Sequence, residues 1–120
     1  MRLVVLFGVM LVACSHMDAL TVAPPGRTAT LNDTTREIAL SPGVALALRC
    51  TTGWGNPCAA GQATVDDPKI ARVYPAHLEK LEWYPDGTFA PTSYVVVGVS
   101  PGETVLRVSG EEPVRVVVGE

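Results

Sequence analysis

Apolar and polar side chains alternate in short runs along most of this chain. A two-residue period places successive side chains on opposite faces of a β-strand. The clearest runs are residues 44–50, 93–99, 103–109 and 114–118. Their predicted inward faces are Val44, Leu46, Leu48, Cys50, Leu106, Val108, Val114, Val116 and Val118. Short connections between the last three runs predict neighbouring antiparallel strands.

Weaker runs predict further strands in the first two thirds of the chain. They cover residues 19–23, 28–31, 36–40, 63–66 and 69–74. Proline and glycine clusters such as Pro24-Pro25-Gly26 and Ser41-Pro42-Gly43 separate them and are typical of turns. Residues 77–84 fit a helix or a strand equally well. The pattern as a whole predicts an all-β chain, an antiparallel β-sandwich of about seven to nine strands.

The N-terminus has a different pattern. Arg2 precedes an apolar run, Leu3 to Val12, that is too short to span a bilayer as a helix. This is the pattern of a secretory signal. The end of the run, Leu11-Val12-Ala13-Cys14, resembles the lipobox of bacterial lipoproteins. An ordinary signal peptide with an incidental cysteine is the alternative.

The lipoprotein resemblance implies cleavage after Ala13 and lipid on Cys14, with no other cofactor. The domain boundaries that follow are a signal peptide at 1–13, a lipidated cysteine and short tether at 14–18, and a folded domain at 19–120. Several acyl chains hold a protein on a membrane almost permanently. Ser15 after the cysteine resembles the outer-membrane sorting pattern of these lipoproteins, so we expect an outer-membrane location facing the periplasm or the cell surface.

With Cys14 lipidated, Cys50 and Cys58 remain as an even pair in an exported protein. The expected state of such a pair is one disulfide. A metal site would need further ligands, and the two histidines, His16 and His77, lie in other segments. We therefore expect no metal.

Composition excludes several functions. The formal net charge is −3, with nine basic residues scattered along the chain, so no basic patch predicts a nucleic-acid partner. There is no phosphate loop or dinucleotide fingerprint. Asp66-Asp67 could bind calcium, although a turn before Pro68 is the simpler interpretation. We expect a protein that is not an enzyme.

Three stretches together resemble bacterial Ig-like domains of surface and adhesion proteins. They are Leu40 to Leu46, Asp67 to Val73, and Val97 to Val108 with its Gly98 and Gly102. The resemblance implies an Ig-like sandwich. Residues 50–58, with their two cysteines, and 76–91, which resemble an insertion, depart from the family pattern. An Ig-like fold alone does not define a function.

Two aromatic segments are candidate binding sites. Trp54 lies between two glycines in the loop that a Cys50–Cys58 disulfide would close, and pre-ordering a loop reduces the entropy lost on binding. The alternative is a tryptophan that covers the core. Trp83, Tyr84 and Phe89 form the second group, and such aromatics suit a protein or glycan contact as well as a satellite hydrophobic cluster.

The sequence as a whole predicts a membrane-anchored envelope lipoprotein that acts as a binding or assembly module, with envelope proteins and the membrane as partners. Thr51-Thr52-Gly53-Trp54 also resembles part of a loop of chagasin-type inhibitors of papain-like proteases. A chagasin-like cysteine protease inhibitor is therefore one alternative function. A surface adhesion or glycan-binding module is the other.

Overall fold

A computed structural model describes residues 16–51, 63–76, 93–108 and 110–119. Within these ranges the chain forms strands and no helix. The strands are β1 (His16–Ala19), β2 (Ala29–Asn32), β3 (Glu37–Leu40), β4 (Ala45–Thr51), β5 (Ala63–Val65), β6 (Ala71–Ala76), β7 (Ser93–Gly98), β8 (Gly102–Val108) and β9 (Val114–Val118). The prediction of an all-β chain is confirmed.

The strands form two sheets that pack as a sandwich. One has the order β1-β4-β7-β6 and the other the order β2-β3-β9-β8-β5. The first order corresponds to strands A, B, E and D of an immunoglobulin domain, and β5, β8 and β9 correspond to C, F and G. The β2–β3 hairpin extends the second sheet beyond β9. The predicted Ig-like sandwich is confirmed, with a hairpin added at one edge.

Two expectations about strand pairing are wrong. β3 and β9 are parallel, with Ile38 opposite Val116, so the sandwich is not purely antiparallel. β8 and β9 pair antiparallel as expected, but β7 and β8 belong to different sheets. The short connection at residues 99–101 therefore crosses from one layer to the other.

The core lies between the two sheets and follows the alternation in the sequence. Every predicted inward residue is buried, including Leu46, Leu48, Leu106 and Val114, which are fully inaccessible to solvent. The core also contains Met17, Ala29, Ile38, Leu40, Ala71, Tyr94 and Val96. Removing apolar surface from water supplies most of the favourable free energy of such a fold.

The N-terminal boundary of the domain differs from the prediction. Residues 16–18 were expected in a tether and residues 19–23 in the first strand, but β1 is His16–Ala19. Met17 is 2% exposed and lies opposite Cys50 of β4. A single apolar residue between polar His16 and Asp18 gives too little alternation to predict a strand, and it is the pairing with β4 that creates one.

Candidate functional site

The two segments that contain the candidate aromatic residues, 52–62 and 77–92, both join the described strands at one end of the sandwich. We call it the N-terminal end and define it by His16, Thr51, Ala63, Ala76 and Ser93. His16 lies opposite Thr51, and Ala76 lies opposite Ser93. Ala63 begins β5 opposite Val108, the last residue of β8.

The candidate residues Cys14, Trp54, Cys58, Trp83, Tyr84 and Phe89 lie outside the described residues. The strands nevertheless fix where their segments join the fold. Segment 52–62 leaves from Thr51 and returns at Ala63, and segment 77–92 leaves from Ala76 and returns at Ser93. The pairing of β6 with β7 therefore continues up to the point where the expected insertion begins.

Cys50 is 1% exposed and points into the core from β4. Cys50 is the last inward-facing residue of β4 and therefore lies close to the N-terminal end. The predicted pairing with Cys58 remains a prediction, because Cys58 lies outside the described residues.

Two turns complete the N-terminal end. In the β2–β3 turn, the Asn32 side-chain oxygen accepts hydrogen bonds from the backbone N–H groups of Thr34 and Thr35, at 3.0 and 3.1 Å. Arg36 has a φ of 57°, and its guanidinium donates to Asp33 Oδ1 at 3.1 Å and to the Glu112 carbonyl at 2.8 Å. Arg36 thereby ties this turn to the β8–β9 turn.

The opposite end, which we call the far end, consists of the turns at 24–27, 41–44, 66–70 and 99–101. Ser41 connects two of these segments, because its hydroxyl accepts from the Thr28 N–H at 2.8 Å and its own N–H donates to the Thr28 carbonyl. In the third turn, Asp67 Oδ1 accepts from the Lys69 N–H at 3.0 Å, and the Asp67 N–H donates to Thr104 Oγ1 at 2.9 Å. Asp67 thus has the turn role that was the simpler interpretation.

The outer face of the second sheet carries paired charges. Arg107 binds both carboxylate oxygens of Asp66 at 2.9 Å, and Arg115 binds both of Glu103 at 3.2 and 2.6 Å. The hydrogen bonds from Arg107 lower the pKa of Asp66, and those from Arg115 lower the pKa of Glu103. These side chains are solvent-exposed, so the pairs contribute little to stability.

The described residues offer no further chemical constellation. Among them there is no cluster of three or more potential metal-ligating side chains. In the same residues no helix is long and apolar enough to cross a membrane. The geometric basis for a functional hypothesis is therefore the N-terminal end, where the segments with the candidate residues join the fold.

No family model matches this sequence, and no curated protein matches it. The fold has a likeness to domains 4 and 5 of the S-layer protein SbsC, known from a crystal structure. The TM-score is 0.45 at 17% sequence identity, and the match covers 86% of this chain and 54% of that one. The chain thus spans about half the length of that structure.

Proposed function

We propose that the protein is a lipid-anchored envelope protein whose Ig-like sandwich is a non-catalytic binding or assembly module. The observation that carries this proposal is Leu11-Val12-Ala13-Cys14 placed directly before a folded domain. Only Ser15 stands between that cysteine and β1. This order of signal, cysteine and fold is the one in which a lipid on the cysteine would hold a secreted domain at a membrane surface.

The arrangement of charges supports a binding role over catalysis. Catalytic groups need a shared site in which burial or neighbouring charges shift their pKa values. The lowered pKa values among the described carboxylates belong to Asp66 and Glu103, which are exposed and held by arginines on a sheet surface. Such pairs are typical of a solvated sheet face.

The candidate contact residues in this proposal are Trp54, Trp83, Tyr84 and Phe89, with a Cys50–Cys58 disulfide closing the loop that contains Trp54. Aromatic side chains are enriched at the centre of protein interfaces. We expect Trp54→Ala to weaken capture of the partner and to leave the thermal unfolding midpoint nearly unchanged. A large loss of stability would show instead that Trp54 covers the core.

The anchor is tested by metabolic labelling with a fatty acid analogue in a bacterial host that processes lipoproteins. Wild-type protein should incorporate the label and fractionate with membranes, and Cys14→Ala should do neither. Ser15→Ala is the matched control and should remain labelled. An unlabelled wild-type protein would contradict the proposal.

The partner is tested by cross-linking the full-length protein in cells, followed by purification and mass spectrometry. A defined set of envelope proteins that is lost with Cys14→Ala supports an assembly module. Capture of a cysteine protease, together with inhibition of papain, would favour the chagasin-like alternative. Retention on a glycan array without protein partners would favour the adhesion alternative.

A further inference from the structure

We infer that the sandwich stands end-on on the bilayer, with its N-terminal end against zwitterionic lipid headgroups and its far end pointing away. This inference rests on the proposed lipidation of Cys14 and adds the surface that the membrane contacts. It follows from the position of β1 in the fold and from the shortness of the chain that precedes it.

The first step is a limit on length. An extended chain advances at most about 3.6 Å per residue, so Cys14 lies within roughly 7 Å of His16 whatever its conformation. A lipid on Cys14 therefore holds the start of β1 close to the headgroups. A long flexible tether would let the domain turn freely, but β1 begins only two residues after the anchor.

The second step is that β1 is an integral part of the fold. Its residues pair with β4 from His16 opposite Thr51 to Ala19 opposite Leu48. Met17 is 2% exposed in the common core. Because detaching β1 would expose this side chain and break the ladder, the start of β1 is fixed relative to the rest of the sandwich.

The third step concerns which described residues then face the membrane. The β2–β3 turn and the β8–β9 turn lie at the same end as His16. The short connections at 41–44 and 99–101 join the two sheets at the opposite end, so the start of β3 and the end of β8 lie at the end where β4 finishes opposite His16. Arg36 joins the two turns through its hydrogen bond to the Glu112 carbonyl. They approach the headgroups as one connected surface.

The charge of these two turns determines which lipid headgroups they can approach. Asp33, Glu111 and Glu112 outnumber Arg36, so the two turns carry a net negative charge. Anionic lipids give a membrane surface a negative potential that attracts basic segments and repels acidic ones. A zwitterionic headgroup layer is therefore the surface that this end fits.

The orientation holds the far end away from the bilayer. A strand rises about 3.3 Å per residue, so β4 places the turn at residues 41–44 roughly 20 Å further from the bilayer than Thr51. That end is built from short turns held by hydrogen bonds such as Ser41 to Thr28.

The test uses full-length lipidated protein in nanodiscs of phosphatidylcholine and phosphatidylethanolamine that contain a small share of lipid with a gadolinium chelate on its headgroup. Backbone amide NMR signals are compared with those in discs that carry a diamagnetic chelate. Residues 32–36 and 110–112 should lose most of their signal, and residues 41, 43, 44 and 69–70 should keep most of it. Equal loss at both ends would overturn the inference.

A second variant tests the cause of the orientation. A long flexible Gly-Ser insertion between Ser15 and His16 keeps the lipid but removes the length limit, so the difference between the two ends should largely disappear. If it persisted unchanged, the short link would not be what orients the domain. Attachment to discs is read separately by gel filtration against Cys14→Ala. If wild-type protein did not attach, the lipid proposal itself would fail and this inference with it.

Discussion

Met17 of β1 and Cys50 of β4 lie directly opposite each other, and both side chains are buried, with exposures of 2% and 1%. This pair attaches the first strand of the domain to the core. Met17, which was expected in the tether, is thus already a structural residue.

The first prediction concerns this attachment. Met17→Ala removes a buried side chain, and such truncations cost about 2–5 kcal/mol. Asp18→Ala changes the exposed neighbour on the same strand and should stay within about 0.5 kcal/mol of wild type. Both are measured by urea unfolding of the domain. A neutral effect of Met17→Ala would show that β1 is not part of the cooperative fold, and the end-on orientation would lose its support.

The second prediction explains one glycine of the Ig-like sequence pattern. A Cβ on Gly98 would lie 2.7 Å from the Ser41 carbonyl oxygen and 3.3 Å from Val118 Cγ1. Because the first of these neighbours is backbone, Gly98→Ala should force a shift that costs about 1–3 kcal/mol.

Gly119→Ala is the matched control for Gly98→Ala, since a Cβ there meets nothing within 4 Å. We expect it to leave the thermal unfolding midpoint close to that of wild type. Equal midpoints for the two variants would contradict the close approach of β7 to the turn at residue 41.

The third prediction concerns a hydroxyl in the core. Tyr94 is fully buried, and its hydroxyl has no hydrogen-bond partner within the described part of the chain. Burial raises the pKa of this phenol. An unbonded buried polar group is destabilising, so Tyr94→Phe should leave the free energy of unfolding unchanged or raise it by about 1 kcal/mol.

Tyr74→Phe serves as the control for Tyr94→Phe, because Tyr74 is 49% exposed and its hydroxyl can bind water. That variant should be neutral. A clear loss of stability in Tyr94→Phe alone would reveal a hydrogen bond from water or from a residue outside the described ranges.

The fourth prediction concerns pH. Arg107 lowers the pKa of Asp66 in the folded state, so this ion pair stabilises the fold above the ordinary carboxyl pKa, about 3.9. Its contribution is lost as pH falls through the lowered folded-state value. A double-mutant cycle with Asp66→Asn and Arg107→Gln should therefore show a small coupling in urea unfolding at pH 6 and a smaller one at pH 2.

The coupling between Asp66 and Arg107 should also weaken in concentrated salt, because both side chains are exposed. Asp18→Asn controls for the loss of a single negative charge. A coupling of equal size at both pH values would mean that the interaction is not the ion pair seen here.

Much of the fold was predictable because it depends on local alternation. β9 has the predicted bounds, Val114–Val118, and β2, β3 and β8 differ from prediction by a residue or so. The inward faces were correct because one face of each strand must be apolar to pack against the opposite sheet. This alternation of apolar and polar residues can be predicted from the local sequence of each strand alone.

The pairing of strands was less predictable. Nothing local distinguishes a connection that turns back within a sheet from one that crosses to the other, so β7 and β8 were wrongly expected to be neighbours. β1 was placed too late because its one buried residue, Met17, depends on a partner strand far along the chain. The sequence alone predicted the residues of the candidate site. The strand bounds add the end of the sandwich at which the segments with those residues join the fold.

The position of β1 has a mechanical consequence. β1 begins at the N-terminal end and β9 finishes with Val118 at the far end, so a pull between the start of β1 and the end of β9 runs along the strands. The hydrogen bonds of the sheets lie across that direction. The force then shears whole ladders such as β1–β4 and β3–β9, so that all hydrogen bonds of a ladder bear it together. It does not peel the strands apart one hydrogen bond at a time. A domain anchored through Cys14 as proposed would bear such a pull without unfolding first at β1.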